Sequence, residues 1–189
     1  GTVTLVADPR SPHSPEDRRI QQETAMALYD DLADLTFVVD RVTAVRDQAR
    51  DRATAAKGSL ARELEDLAGR MEGLRADLVS TSEAGMLSGE ERLREKLGAL
   101  YGSVNGHDGR PTNSQLEQRR KLERRLAEAE ARFEAATADL DRLDARLERG
   151  DLDPITVPTR QEWEAQQARG GAGAPPAVLA PHVEMFALW

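Results

Sequence analysis

Cysteine is absent from the chain, which rules out disulfides, thiolate metal sites and a thiol nucleophile. Aromatic residues make up only 4% of it, too few for the wide apolar layers on which a sheet-based core depends. Histidine occurs three times, at His13, His107 and His182, each in a loop or tail segment, and no Glu-x-x-His pair of the kind that helical metal sites place on inward faces is present. No apolar run is long enough to cross a bilayer, so no membrane span is expected. Basic residues are outnumbered 26 to 34 by acidic ones, and a net charge of −8 opposes nucleic acid, whose phosphates need clustered Lys and Arg. The chain opens at Gly1 inside the alternating stretch Thr2-Val3-Thr4-Leu5-Val6, which reads as one strand without a partner, and so as a piece of a longer protein.

What is abundant is Ala, Leu, Glu, Arg and Asp, the composition of long helices with narrow apolar seams. Ser14-Pro15-Glu16-Asp17 supplies a capping hydroxyl, a proline where a helix tolerates it and an acidic third position. The helix it opens carries Leu28, Leu32, Leu35, Val39, Val42, Ala49, Ala53 and Ala56 at steps of three and four, and ends near Lys57-Gly58. Arg46 falls on that seam, which means either a buried pair with an acid or a seam turned toward Val38 and Val45.

A second seam runs through Leu60, Leu64, Leu67, Met71, Leu74 and Leu78, stops over Ser80 to Gly85, and resumes after Ser88-Gly89-Glu90-Glu91 with Leu93, Leu97, Leu100 and Val104. The turn Asn105 to Pro111 reverses the chain. A capping box, Thr112 to Gln115, then opens the longest seam: Leu122, Leu126, Ala129, Phe133, Ala136, Leu140, Leu143 and Leu147, closed by Gly150. The expectation is an all-α fold: an antiparallel up-down-up bundle over residues 14–150 with its middle helix broken. Before it come a short strand and connector (1–13). After it comes an irregular tail (151–189) with a short helix behind the Thr159–Glu162 box, a Gly/Pro linker and an apolar end.

No enzyme is expected from these residues, and no cofactor or metal. Ser80, Thr81 and Ser82 have no nearby His to activate them, and the glycines of 102–109 lack the strand and the Lys-Ser or Lys-Thr of a phosphate loop. Asn105 and Asp108 offer too few acids for a calcium cage. The basic clusters Arg18-Arg19 and Arg119-Arg120-Lys121 to Arg125 are interleaved with Glu and read as ion-paired surface. The partner-binding candidates are Val183, Met185, Phe186, Leu188 and Trp189, an apolar terminus suited either to the chain's own bundle or to a partner groove.

Two stretches together look like a known family. Val3 to Arg10 looks like the last strand of a β-sandwich running through Asp8-Pro9-Arg10 into a long helix. Arg92-Leu93-Arg94-Glu95-Lys96-Leu97-Gly98-Ala99-Leu100-Tyr101-Gly102, then Gly109-Arg110-Pro111-Thr112 and the long Leu seam, resembles the C-terminal helical region of large bacterial sortilin-like propeller proteins with BNR-type repeats. Those proteins are commonly labelled glycosyl hydrolases on the strength of their propellers. The likeness spans residues 3 to 150. It implies a non-catalytic appendage of a secreted or cell-envelope protein, partnered by another protein or by domains of its parent chain, and no catalytic residue carries over. Ser80 to Glu91 departs from it, being acidic and Gly-containing where family members tend to be rich in Lys and Asn. A self-assembling coiled-coil scaffold, with the seams closed between chains, and a regulatory part of a glycoside-active propeller enzyme are the rival readings.

Overall fold

A computed structural model describes residues 10–80 and 92–170. The protein is mostly helical, with no strand among the described residues. The elements are α1 (Pro15–Ala55), α2 (Ser59–Leu78), α3 (Leu93–Asn105), α4 (Asn113–Thr137), α5 (Leu140–Arg149) and α6 (Arg160–Gly170). The strand expected at Thr2–Val6 lies outside the described residues, as do the restart signal at Ser88–Glu91 and the tail from residue 171.

Each of three helix starts follows from its cap. At α1, Ser14 Oγ accepts from the Asp17 amide at 3.1 Å while Asp17 accepts from the Ser14 amide at 3.1 Å. Thr112 and Gln115 do the same at α4, and Thr159 and Glu162 at α6. Between α1 and α2 the chain reverses through Ala56, Lys57 and Gly58, and Gly58 takes φ 66°, a left-handed conformation that glycine enters without steric cost.

The seam of α1 is turned as the second reading of Arg46 requires. Leu35, Val38, Val42, Val45 and Ala49 are buried and Val39 only partly so. Arg46 is nonetheless sunk beside that seam, its side chain 12% exposed, because Glu72 of α2 and Asp47 accept from its guanidinium at 2.8 Å each. The other seams bury as spaced: Leu64, Leu67, Met71, Leu74 and Leu78 on α2, all four of α3, and Leu122, Leu126, Ala129 and Phe133 on α4. They belong to one continuous core.

The long last seam is carried by two helices where one was expected. At Ala138–Asp139 the helix is interrupted, just after the Thr137 hydroxyl donates to the carbonyl oxygens of Phe133 at 2.9 Å and Glu134 at 3.3 Å. Such back-bonding competes with the backbone ladder and bends helices. Leu140, Leu143 and Leu147 stay buried after the interruption, so the core continues through it.

Polar contacts fix the register between helices. Gln21 of α1 donates to the carbonyls of Val104 and His107, Arg119 of α4 to Asp31 at 3.2 Å, and Arg41 to Glu134 at 2.9 Å. Along α2, Asp77 accepts from Arg132 at 2.8 Å, and Glu63 pairs with Arg146 of α5. Numbers thus rise together along α1 and α4 and run oppositely along α2 and the α4–α5 pair.

Candidate interaction surface

Two places on the described protein gather polar and apolar groups in a way that could serve recognition. The first is an open cleft of about 890 Å³ at the α1 N-terminus, lined among others by Arg10, His13, Arg18, Gln22, Met26 and Tyr101. Met26, half exposed, is the exposed large apolar side chain among the described residues. His13 sits against Gly109, whose φ is 113°. A Cβ there would come within 2.4 to 2.9 Å of the imidazole ring, so glycine is what permits the connector to close on the turn after α3. Gln21 clamps the same turn, taking the Gly109 amide at 3.4 Å. Asp17 is held below the ordinary carboxylate range, first by the Ser14 hydroxyl and then by the Ser14 amide, and Arg110 lies 3.8 Å away. The backbone amide of His13 donates to Ser11 Oγ at 3.4 Å.

The second place is the flank of α1 from Asp34 to Arg52, which sequence reading missed entirely. Beyond α5 the chain turns through Gly150 and Asp151, the latter at φ 58°, and lies along α1 as an extended strap. Arg52 Nε donates to the Asp153 carbonyl at 3.2 Å. The Gln48 side-chain amide grips Thr156 from both sides, donating to its carbonyl at 2.8 Å and accepting from its amide at 2.9 Å. Ile155 is buried, and its amide donates to Asp144 of α5 at 2.9 Å.

At the end of the strap Trp163 Nε1 donates to Asp40 at 2.7 Å, and its ring centroid is 5.5 Å from that of Phe37. Arg160 pairs with Asp34 and lies 4.2 Å from the Phe37 centroid. Arg41 lies 4.3 Å from Phe133 and 5.2 Å from Phe37. The structure thus gathers Phe37, Phe133 and Trp163, three of the chain's seven Phe, Trp and Tyr residues, around two arginines.

Elsewhere a minority of the charges are engaged across helices. Glu72 receives Arg46 and Arg50 and faces Arg75 at 3.8 Å. Burial raises the Asp31 carboxyl above its usual value against the opposing pull of Arg119. Of the basic clusters read as ion-paired, Arg19 pairs with Glu16 and Glu23 and Arg119 with Asp31. Among the described residues no ion pair is found for Arg120, Lys121, Arg124 or Arg125, which stand exposed on α4. Among the described residues no group of three or more His, Asp or Glu side chains is placed to hold a metal, and no helix is long and apolar enough to cross a membrane. Val183, Met185, Phe186, Leu188, Trp189 and His182 lie outside the described residues. No family model, curated protein or solved structure matches the chain.

Proposed function

We propose that this chain is a non-catalytic helical interaction domain of a larger bacterial protein, secreted or envelope-associated. We read its core as an up-down-up bundle in which α2 and α3 form a broken second leg. The register supports the topology: α1 meets α4 with numbers rising together, whereas along α2 Asp77 meets Arg132 and Glu63 meets Arg146 in the reversed sense. The placement in a bacterial propeller protein rests on the sequence resemblance alone.

The observation that carries the interaction reading is the way the chain leaves the bundle. It is fastened to α1 as far as Trp163, after which Glu164 to Arg169 of α6 are exposed. The sequence that follows holds the Gly/Pro-rich stretch and then Val183, Met185, Phe186, Leu188 and Trp189. An apolar segment tethered at a fixed point of a rigid body suits capture by a protein groove.

Light scattering across a dilution series, on the whole chain and on one ending at Arg169, tests this. A concentration-dependent complex lost on truncation, or a single-chain mass in both forms with a helical spectrum unchanged by dilution, agrees with a self-contained body that presents a tail. Oligomers in both forms that lose their helix signal on dilution would put the seams between chains and refute it.

A further inference from the structure

The strap and the flank beneath it are built like a ligand and its site, and we infer that the α1 flank is a recognition site for this segment that a second copy's strap can fill, giving a strap-exchanged dimer. The inference concerns the described flank and strap and does not depend on the apolar tail.

The flank reads backbone as well as side chains. The Gln48 amide matches the donor and acceptor of one residue, Thr156, as a neighbouring strand would, and Arg52 takes the Asp153 carbonyl three residues earlier. Asp40 then takes the indole N–H, and Phe37 receives both the indole and the Arg160 guanidinium. Of these strap-binding groups, every one is on α1. The strap is also seated on the body by Ile155, buried with its amide on Asp144 of α5, and by Leu152 and Val157, partly buried against the core. A site whose polar and aromatic groups are fixed on the folded body does not distinguish its own strap from an identical one.

The hinge favours exchange. Asp151 is the described non-glycine residue with positive φ, at 58°, directly where the strap leaves α5. Left-handed backbone costs an L-residue with a Cβ free energy, and the turn around it is tight: Gly150 and Leu152 both donate to the Leu147 carbonyl. Opening the hinge relieves that conformation, and strained short hinges are the places from which elements swap between protomers. Pro154 and Pro158 keep the released strap extended, which lowers the ordering cost of capture by another chain. In the wild-type chain the cis strap competes at an effective concentration on the order of millimolar, so the closed single chain dominates at lower concentration.

Two full-length variants test the exchange by complementation. One loses the site (Asp40→Ala with Gln48→Ala) and keeps its strap; the other loses the strap (Ile155→Asp with Trp163→Ala) and keeps its site. Each alone is expected to run at single-chain mass. Their mixture is expected to rise toward twice that mass over a series from about 1 μM to about 1 mM, with Trp163 of the first variant regaining a protected environment. A mixture that stays at single-chain mass throughout, while both variants keep their helical circular dichroism, overturns the inference. Should Ile155→Asp compromise folding, Trp163→Ala alone serves as the strap-deficient partner, with the same two outcomes.

Discussion

Gly109→Ala isolates the contact by which the connector before α1 closes on the turn after α3. Two costs follow from its surroundings. The first is conformational: φ 113° lies where a residue with a Cβ is strained, at about 1–2 kcal/mol. The second is steric, because the new Cβ would stand 2.4 Å from Nδ1 and 2.9 Å from Cγ of His13, and Cγ moves only if the whole ring moves. Overpacking of this kind costs about 1–3 kcal/mol. The sum, about 2–5 kcal/mol, lowers the melting temperature of a chain this size by about 4–20 °C.

Removing the ring should return the steric part alone. In a His13→Ala background the same glycine substitution is expected to cost only about 1–2 kcal/mol, the conformational part. Urea unfolding of the wild type, the two single variants and the double variant, followed by circular dichroism, closes the cycle. Additivity within about 0.5 kcal/mol would refute the close approach of His13, since uncoupled residues add to that accuracy.

Three further outcomes are expected. Phe133→Ala should lose about 3–5 kcal/mol by denaturant titration, because its ring is 1% exposed and its removal also takes away the surface on which Arg41 lies; a loss below about 1 kcal/mol would mean the site collapses freely. Glu72→Gln should lower stability by about 1–3 kcal/mol and more than Arg46→Met, because it leaves a nearly buried guanidinium with Asp47 as its remaining charged partner while the second change removes the guanidinium; the reverse order would discard that account. Melting temperature should fall as pH drops from neutrality to about 3, because the carboxyls of Asp17, Glu63 and Glu162 are all depressed in the folded state, so their stabilisation is present above the ordinary carboxylate range and lost as pH falls through their folded values. Asp31 acts with the opposite sign, since its raised folded value means stability is lost as pH rises through it. Asp31→Asn should therefore steepen the acid-side fall, and a flat profile in both proteins would contradict these environments.

The local code was legible where one turn of helix decides the outcome. Ser14–Asp17, Thr112–Gln115 and Thr159–Glu162 each announce a helix start through side chains three residues apart, and the Leu64-to-Leu78 and Leu93-to-Val104 seams bury at the positions their spacing names. Less could be read where the choice lay between adjacent residues. Val38 and Val39 fit the α1 seam equally until Arg46, held by Glu72 from another helix, turns it. The strap was illegible because its partners on α1 are more than a hundred residues away and its extended run has no periodicity. Gln48 gives no sign in sequence that its amide will act as a strand edge for Thr156. Nor does the continuous apolar spacing through Ala136 and Leu140 show the interruption at Ala138, which the Thr137 hydroxyl accompanies.

Because α2 ends at Leu78 and α3 begins at Leu93, a mechanical duty falls on α1. With 41 residues, α1 is about 60 Å long, and it packs against both α2 and α3. It is therefore the splint through which unfolding of one end is communicated to the other, and the all-or-none character of the transition depends on its middle turns. A proline at Thr36, a partly buried position on the helix, would cut that splint while leaving both ends their own seams. The melting curve should then divide into two steps, each belonging to one end of a body that otherwise comes apart at once.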